Sequence, residues 1–242
     1  MKKLRSERLK VGILVAMEEE IKRLTEEISE ATITEIAKQT FYDGNIHKNP
    51  VTIVKSGIGK VNASIATTLL IQDFDVDVVI NTGSAGGIGS GLSIGDLVIS
   101  TELTYNDADN RGFGYTYGQI PQMPERYATD DLLRKMIERA AVTQDWSVQS
   151  GLIVTGDSFI ASRHQIEEIK SFFPEALVTE MEGAAVAQTC AQFEIPYAVI
   201  RAVSDTADEA ATVSFDEFVL LAGQRSAELV MALIEELGST AL

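Results

Sequence analysis

Short apolar runs rich in β-branched residues alternate along the chain with longer segments of helical periodicity, and this alternation restricts the fold more than any other feature. The runs predicted as strands read VGILVA, VTIVKSG, VDVVINTG, GDLVIST, SGLIVTGD and PYAVIRAVSD. Helical patterns include residues 17–28, 61–72, 130–141 and 215–237. Several of the strands are apolar throughout, which is typical of a sheet covered on both faces. The pattern therefore predicts an α/β sandwich with a largely parallel sheet.

The size and charge of the chain argue against some partners. Its 242 residues, 45% of them hydrophobic, are sufficient for one large α/β domain. The 20 Lys and Arg stand against 36 Asp and Glu, a formal net charge of −16, whereas nucleic-acid binding depends on clustered cations. No stretch is long and apolar enough to span a bilayer. We therefore expect neither a nucleic-acid partner nor a membrane partner.

The single cysteine and the first residues bear on the cellular compartment. Cys190 cannot form an intrachain disulfide, and its neighbours are small and apolar rather than metal ligands. The basic start MKKLRSERLK precedes a short apolar run that ends in glutamates, unlike the small-residue cleavage site of a secretory signal. A reducing, cytoplasmic location is the expectation.

Polar or glycine-rich residues follow five of the predicted strands. These segments read AMEEE, GIGK, TGSAGG, GDSF and SDTAD. Ligands of open α/β sheets bind beyond the carboxyl ends of the strands, so we expect the five segments to converge on one pocket. Neither GSAGGIGSG nor SGIGKVNAS has the spacing of a dinucleotide fingerprint or a P-loop.

The three glutamates after the first strand have two interpretations. Acidic residues complement the dipole at the start of a helix and often do nothing more. In a helical projection Glu19 points away from the apolar stripe, while Glu18 and Glu20 flank it. Spacing alone does not choose between these two as a candidate site carboxylate.

Charged residues also interrupt two otherwise apolar segments. Glu180 and Glu182 lie in TEMEGAAVAQ, and Arg201, Ser204 and Asp205 lie in VIRAVSDTAD. An unpaired charge in a buried strand is costly, so an arginine and a carboxylate there indicate either a structural ion pair or a functional site.

A segment rich in aromatic residues, NRGFGYTYGQIPQMP, is too open in composition to be ordinary core. Aromatic residues on a loop are typical of a ligand lid or a subunit contact, with a packed surface loop as the alternative. The two histidines, His47 and His164, lie outside all of these clusters and give no support to a Ser–His or His–metal mechanism.

Seven of these segments, in register, resemble the bacterial 5′-methylthioadenosine/S-adenosylhomocysteine nucleosidases of the nucleoside phosphorylase-like superfamily. They are AMEEE, SGIGKVNAS, INTGSAGG, FGYTYGQIP, TGDSFI, TEMEGAAVA and RAVSDTAD with SFDEF. The resemblance implies a single-domain three-layer α/β/α sandwich with a central mixed sheet over residues 10–242. Residues 1–9 would be a poorly ordered N-terminal extension.

The resemblance also implies the reaction. It is hydrolysis of the N-glycosidic bond of adenine thionucleosides, releasing adenine and a thioribose, without metal or coenzyme. Asp205 would protonate the imidazole-side nitrogen of adenine, which requires a pocket that favours the protonated acid, because the pKa of a free Asp is about 3.9. Glu20 would position and deprotonate the attacking water.

The remaining site residues follow from the same resemblance. Glu182 and the Met181 backbone would hold the ribose, Ser84 and Arg201 would order the water, and Phe159 and Ile160 would bind adenine. The substrate-binding set also includes Ala85, Gly86, Ser204 and, around the alkylthio group, Met17, Ile58 and Phe215. Phe113, Tyr115 and Pro121 would close the pocket of a neighbouring subunit, which implies a homodimer. Asn110 departs from the apolar neighbour that this lid is expected to have.

Three alternatives remain open at this point. A futalosine-type nucleosidase would keep the acid and base and change the pocket for the 5′ substituent. A phosphorylase lacks a basic phosphate site near the glutamates. A catalytically silent nucleoside-binding protein would not need Glu20, Glu182 and Asp205 together.

Overall fold

The computed structural model describes residues 8–144, 146–207 and 211–239. The strands are β1 (Val11–Val15), β2 (Ser29–Ile36), β3 (Gln39–Ile46), β4 (Asn49–Lys55), β5 (Val78–Gly87), β6 (Leu97–Tyr105), β7 (Tyr127–Ala128), β8 (Val148–Thr155), β9 (Val178–Glu180) and β10 (Tyr197–Asp205). The helices are α1 (Glu18–Glu27), α2 (Lys60–Gln72), α3 (Asp131–Thr143), α4 (Arg163–Phe172), α5 (Gly183–Phe193) and α6 (Ala211–Ser239). A short 3₁₀ turn spans Arg111–Phe113.

The strands form one mixed sheet. Strands β4, β1, β5 and β10 run parallel as neighbours, and the antiparallel strands β3 and β2 continue the sheet beyond β4. At the other side β10 pairs antiparallel with β6, which continues through parallel β8 and β9. Strand β9 then pairs antiparallel with the end of β5. The five strands β5, β10, β6, β8 and β9 therefore close into a ring.

Helices cover both faces of the sheet, because successive side chains of its central strands point to opposite sides. On β1, Ile13 faces a core shared with α1, α3 and α6, while Leu14 faces a core shared with α2 and α5. A smaller cluster packs α4 over the outer side of β8. This is the three-layer α/β/α sandwich with a mixed sheet that the family resemblance implies. The largely parallel sheet expected from the alternation of strands and helices is wrong, because the hairpin of β2 and β3 and the strands β6 and β9 add antiparallel pairings.

A close helix contact sets the position of α1 and therefore of the glutamates at its start. Gly223 of α6 lies where a Cβ would be only 2.9 Å from the carbonyl oxygen of Glu19 and 3.1 Å from Cα of Glu20. A larger residue would push the two helices apart. The glycine thus lets the first turn of α1 sit against α6.

The six strands and four helices predicted from periodicity are all present, with ends shifted by a few residues. Strands β2 and β3 were not predicted. Leu9 already packs against the core and Arg8 donates to the carbonyl of Lys48, at 2.6 Å, while residues 1–7 lie outside the described part of the chain. Within the described part, no helix combines the length and the apolarity needed to cross a bilayer.

Candidate active site

The five segments that follow predicted strands meet around one cavity of about 320 Å³. The parallel strands β1, β4, β5 and β10 bring four of them to the same edge of the sheet. The fifth, after β8, arrives with β9, because β9 pairs with the end of β5 and places Thr179 opposite Gly86. The cavity is lined by Ala16, Met17, Glu20, Ile58, Ser84, Ala85, Gly86, Phe159, Thr179, Glu180, Met181, Glu182, Ser204, Asp205 and Phe215.

Most residues predicted for the site therefore lie together, although their individual roles stay predictions. Ile160 lines a small adjoining pocket of about 30 Å³ that shares Phe159, Met181 and Asp205 with the main cavity. Arg201 lies behind the wall and is fully buried. Phe113, Tyr115 and Pro121 do not line the cavity of their own chain.

Glu20 is the buried member of the three successive glutamates. Its side chain is 2% exposed, whereas Glu18 is exposed and pairs with Lys55. One carboxylate oxygen accepts the backbone N–H groups of Ala16 and Met17, at 3.0 and 3.1 Å. The other accepts the N–H and the hydroxyl of Ser84, both at 2.9 Å. Glu20 thus serves as a helix cap and also faces the cavity.

Gly83 brings the backbone of β5 close to Glu20. It has a φ of +156°, and a Cβ there would lie 2.6 Å from Oε1 of Glu20 and 2.7 Å from Nη1 of Arg201. A side chain at this position would displace both charged groups. The glycine therefore lets the carboxylate, the guanidinium and the Ser84 amide occupy one corner of the site.

Arg201 and Glu180 form an ion pair at the base of the cavity. Nη2 of Arg201 contacts the Glu180 carboxylate and donates to Oδ1 of Asn81 at 2.7 Å. Glu180 also accepts the hydroxyl of Thr155 and the backbone N–H groups of residues 182 and 183, at 3.0 and 2.8 Å. The structure confirms a structural ion pair at Arg201, with Glu180 of β9 as its partner, and a functional role for these residues stays a prediction.

Glu182 lies next to this ion pair. Its Oε1 accepts the backbone N–H of Gly59 at 2.9 Å, and its Oε2 is 3.5 Å from Nη2 of Arg201. Burial raises the pKa of Glu182 above its usual value, and the negative charges of Glu180 and Glu20 raise it further. Arg201 and the Gly59 N–H act in the opposite direction. The carboxylate is held by donors but is costly to ionise.

Asp205 ends β10 on the far side of the cavity. Its side chain is 1% exposed, accepts the hydroxyl of Ser204 at 2.8 Å, and accepts the N–H of Ala207 at 2.8 Å. Gly86 of β5 lies directly beside it, in register. These contacts fix the carboxyl group beside the small pocket that Phe159 and Ile160 also line.

Apolar side chains complete the wall of the cavity. Phe159 and Phe215 make an edge-to-face contact with ring centroids 5.7 Å apart. Ile58 and Phe159 remain partly open to solvent, at 49% and 44% exposure, so the cavity has an apolar mouth. One end of the site is thus acidic and polar, and the mouth is apolar.

The aromatic segment after β6 is ordered by its own contacts. Tyr117 stacks on Phe172 with a centroid distance of 3.9 Å, and its hydroxyl donates to the carbonyl of Asn106 at 3.0 Å. Asn110 donates to the carbonyl of Gln119 at 2.9 Å, which closes the segment and explains why an amide stands there. Phe113 is 84% exposed and points away from this packing.

Some residues of the site were missing from the predicted set. Ala16 and Thr179 line the cavity, and Asn81 and Thr155 hold the buried charges. The sequence marks Glu180 as an unusual charge but predicts no role for it in the site. The signal that would have identified it is that a buried Arg201 requires a buried carboxylate as its partner.

Comparisons with known proteins extend over nearly the whole chain. A family model described as "Phosphorylase superfamily" matches residues 10–235. The 5′-methylthioadenosine/S-adenosylhomocysteine nucleosidase of an Exiguobacterium species is 50% identical, covering 95% of this chain and 99% of its own length. The protein of the same name from Staphylococcus carnosus is 49% identical, covering 94% and 100%.

A solved structure is similar throughout. The crystal structure of 5′-methylthioadenosine/S-adenosylhomocysteine nucleosidase from Neisseria meningitidis, in complex with methylthio-immucillin-A, superposes with a TM-score of 0.93. The two sequences are 46% identical, and the match covers 94% of this chain and 99% of the other.

Replacing Arg201 by Met should strongly destabilise the folded protein, because Glu180 and Glu182 then remain as buried carboxylates without their cation. Removing one partner of a buried ion pair costs about 3–5 kcal/mol. The free energy of unfolding, measured by urea titration, should fall by that amount. Arg139→Met is the matched control, since it removes an exposed ion pair with Glu236 and should change the free energy by less than about 1 kcal/mol. Equal losses in the two variants would contradict the assignment of Arg201.

Proposed function

This chain belongs to the phosphorylase superfamily and, within it, to the 5′-methylthioadenosine/S-adenosylhomocysteine nucleosidases, and on this basis we propose that its cavity hydrolyses the N-glycosidic bond of these two nucleosides. The protein is an N-glycosidic hydrolase that releases adenine and the corresponding thioribose. We include 5′-deoxyadenosine as a further substrate, because it differs only at the 5′ end. Its relatives of about 50% identity bear the nucleosidase name, which favours this function over a futalosine-type nucleosidase.

The observation that carries hydrolysis, rather than phosphorolysis, is the charge of the cavity wall. Four buried carboxyl groups line it, those of Glu20, Glu180, Glu182 and Asp205. Among the described residues of the wall there is no Lys or Arg, and Arg201 behind it is engaged by Glu180 and Glu182. A phosphate dianion would be repelled there, whereas a neutral water would not.

Departure of adenine is the first difficulty of the reaction, since the leaving base carries negative charge. Asp205 lies at the end of the cavity beside Phe159 and the small pocket of Ile160. In the proposed complex, Phe159 stacks on adenine and the backbone at Ile160 meets its edge. Asp205 then gives its proton to the imidazole-side nitrogen, and the Ser204 hydroxyl keeps the carboxyl group oriented.

Attack of water is the second step, and Glu20 is the proposed base. Its four hydrogen bonds fix the carboxylate, but all four of its acceptor positions are occupied. The hydroxyl of Ser84 is the one donor that can rotate away, because the other three are backbone N–H groups. Ser84 can therefore yield its place to the water and bind that water itself, while Arg201 lies beside the same corner.

The sugar lies between the two catalytic carboxylates. Glu182 and the backbone of Met181 hold the ribose hydroxyls, and the contact with Gly59 orients Glu182 for this task. Positive charge develops on the sugar as the bond breaks, and the surrounding carboxylates favour that charge. The 5′ alkylthio group then projects toward the apolar mouth formed by Met17, Ile58 and Phe215.

A second copy of the chain is the proposed partner that closes this mouth. The segment with Phe113, Tyr115 and Pro121 presents apolar groups that its own cavity does not use. Val61 and Ile65 of α2, near the exposed Ile58, add further exposed apolar surface at 71% and 39%. A homodimer would bury both surfaces, as in an interface with an apolar centre. A cytoplasmic location remains part of this proposal.

The first test concerns water and its base. The wild-type protein should release adenine from methylthioadenosine equally fast with and without phosphate. Glu20→Gln should lower kcat by about 10² to 10⁴, because an amide cannot take a proton from water. It should also cost about 1–3 kcal/mol of stability, since the amide NH₂ must face N–H donors.

Glu19→Gln is the control, because Glu19 is exposed on the same turn and faces away from the cavity. Its turnover should match the wild type. Full activity of Glu20→Gln, or a requirement for phosphate, would show that the water-activating assignment is wrong.

The second test concerns the acid. Asp205→Asn keeps the shape of the side chain, and its amide oxygen can still accept the N–H of Ala207. Turnover should fall by about 10² to 10⁴, because the titrating proton is lost. Binding of methylthioadenosine, measured by calorimetry, should persist. A variant that keeps near-normal turnover would place the acid elsewhere.

The third test concerns the aromatic segment. Replacing Phe113 and Tyr115 together by Ala should raise KM for methylthioadenosine about tenfold, because the lost contact is apolar and lies at the sulfur end. KM for 5′-deoxyadenosine should rise less. Val142→Ala, an exposed apolar residue of α3, is the control. A fully active monomer in sedimentation, or equal changes for both substrates, would rule out a shared site.

A further inference from the structure

Three charged residues outside the cavity wall join three separate loops, and we call this group the clasp: Lys60, Asp107 and Asp157. Nζ of Lys60 lies 2.8 and 2.7 Å from the two carboxylate oxygens of Asp107, and 3.5 Å from Oδ2 of Asp157. Asp107 also accepts the backbone N–H of Asp157 at 2.9 Å. The clasp thereby connects the loops that follow β4, β6 and β8.

Asp157 makes the contact that reaches the site. Its Oδ1 accepts the backbone N–H of Lys60 at 2.9 Å, at the first residue of α2. The preceding N–H, that of Gly59, donates to Glu182 at 2.9 Å. Two successive backbone donors are therefore held by two carboxylates from different parts of the chain.

Gly59 permits a backbone conformation in which the two N–H donors lie close to Asp157 and Glu182. Its φ of +98° is a conformation that L side chains rarely adopt, and a Cβ would lie 3.1 Å from Oδ1 of Asp157. The neighbouring Ile58 lines the cavity, while Phe159, two residues after Asp157, lines it from another side. A shift of the Asp157 carboxylate would therefore move the ribose side and the adenine side relative to each other.

We propose that Asp157 is a positioning residue of this enzyme: through the N–H of Lys60 it holds the Gly59 N–H against Glu182 and so prepares the ribose-binding carboxylate. The proposal rests on the proposed function for the assignment of Glu182 to the ribose. Asp157 itself does not line the cavity, so the proposed effect passes through Gly59 and Glu182.

A purely structural role for the clasp predicts something different. The side chains of Lys60, Asp107 and Asp157 are 25%, 30% and 51% exposed. Ion pairs this open to solvent contribute little to global stability. If the clasp were only a surface ion pair, its loss would leave both the site and the substrate affinity unchanged.

The test uses two substitutions of Asp157 in the full-length protein. Asp157→Ala removes the acceptor for the Lys60 N–H. Asp157→Asn retains an oxygen that can accept this N–H, so its KM should stay close to that of the wild type. For Asp157→Ala, KM for methylthioadenosine should rise about tenfold with kcat within about threefold, since the loss affects binding in the ground state and the transition state alike. Asp131→Ala, which removes an exposed carboxylate paired with Arg134 on α3, is the matched control.

A second readout does not depend on substrate. Amide hydrogen exchange of the peptide over residues 56–62 should be faster in Asp157→Ala than in the wild type, and near the wild-type rate in Asp157→Asn and Asp131→Ala. Unchanged exchange, or equal KM changes in Asp157→Ala and Asp157→Asn, would overturn the proposal. A wild-type protein that fails to release adenine would instead refute the proposed function, and the exchange result would still decide the role of Asp157.

Discussion

The buried contact between Arg201 and Glu180 is the interaction on which the site depends. Arg201 stands in the middle of β10 and reaches Glu180 at the end of β9 and Asn81 within β5. Placing two charges in the interior carries a large desolvation cost, and apolar residues of similar volume often serve stability as well or better. The pair is therefore best explained by what it positions. It holds the turn that carries Met181 and Glu182 at the base of the cavity.

The other buried carboxyl groups of the site are also held by contacts that the fold sets. Backbone N–H groups at strand ends and helix starts hold Glu20, Glu182 and Asp205, and their positions are set by the fold rather than by flexible side chains. Donors fixed in this way need no rearrangement during a reaction, which is the condition for strong electrostatic stabilisation of a transition state. Glycines 59 and 83 allow the close approach of backbone that these contacts require. The same backbone donors thus serve helix capping and the proposed catalytic roles of these carboxyl groups.

Sequence reasoning succeeded where a physical rule relates a local residue pattern to a position in the fold. Continuous apolar strands predicted a covered sheet, and polar strand ends predicted the convergence around one cavity. It missed β2 and β3, because much of the β2–β3 hairpin is exposed and β2 alternates polar and apolar residues only weakly. It could not choose between Glu18 and Glu20 from helical spacing, since both flank the same apolar stripe. The contact of α1 with α6 at Gly223 and the donors of Ser84 bury only Glu20.

The sequence alone thus determined the layered α/β architecture, the acidic and glycine-rich character of the strand ends and, through the family motifs, the candidate residues. These features are local, because side-chain periodicity and backbone freedom act over a few neighbouring residues. Tertiary structure decided which charges pair. Arg201 meets Glu180 only because β9 runs antiparallel to the end of β5 and closes the ring of strands. The pairing of β9 with β5 joins residues far apart in the chain. No local sequence pattern therefore specifies which carboxylate a buried arginine will contact.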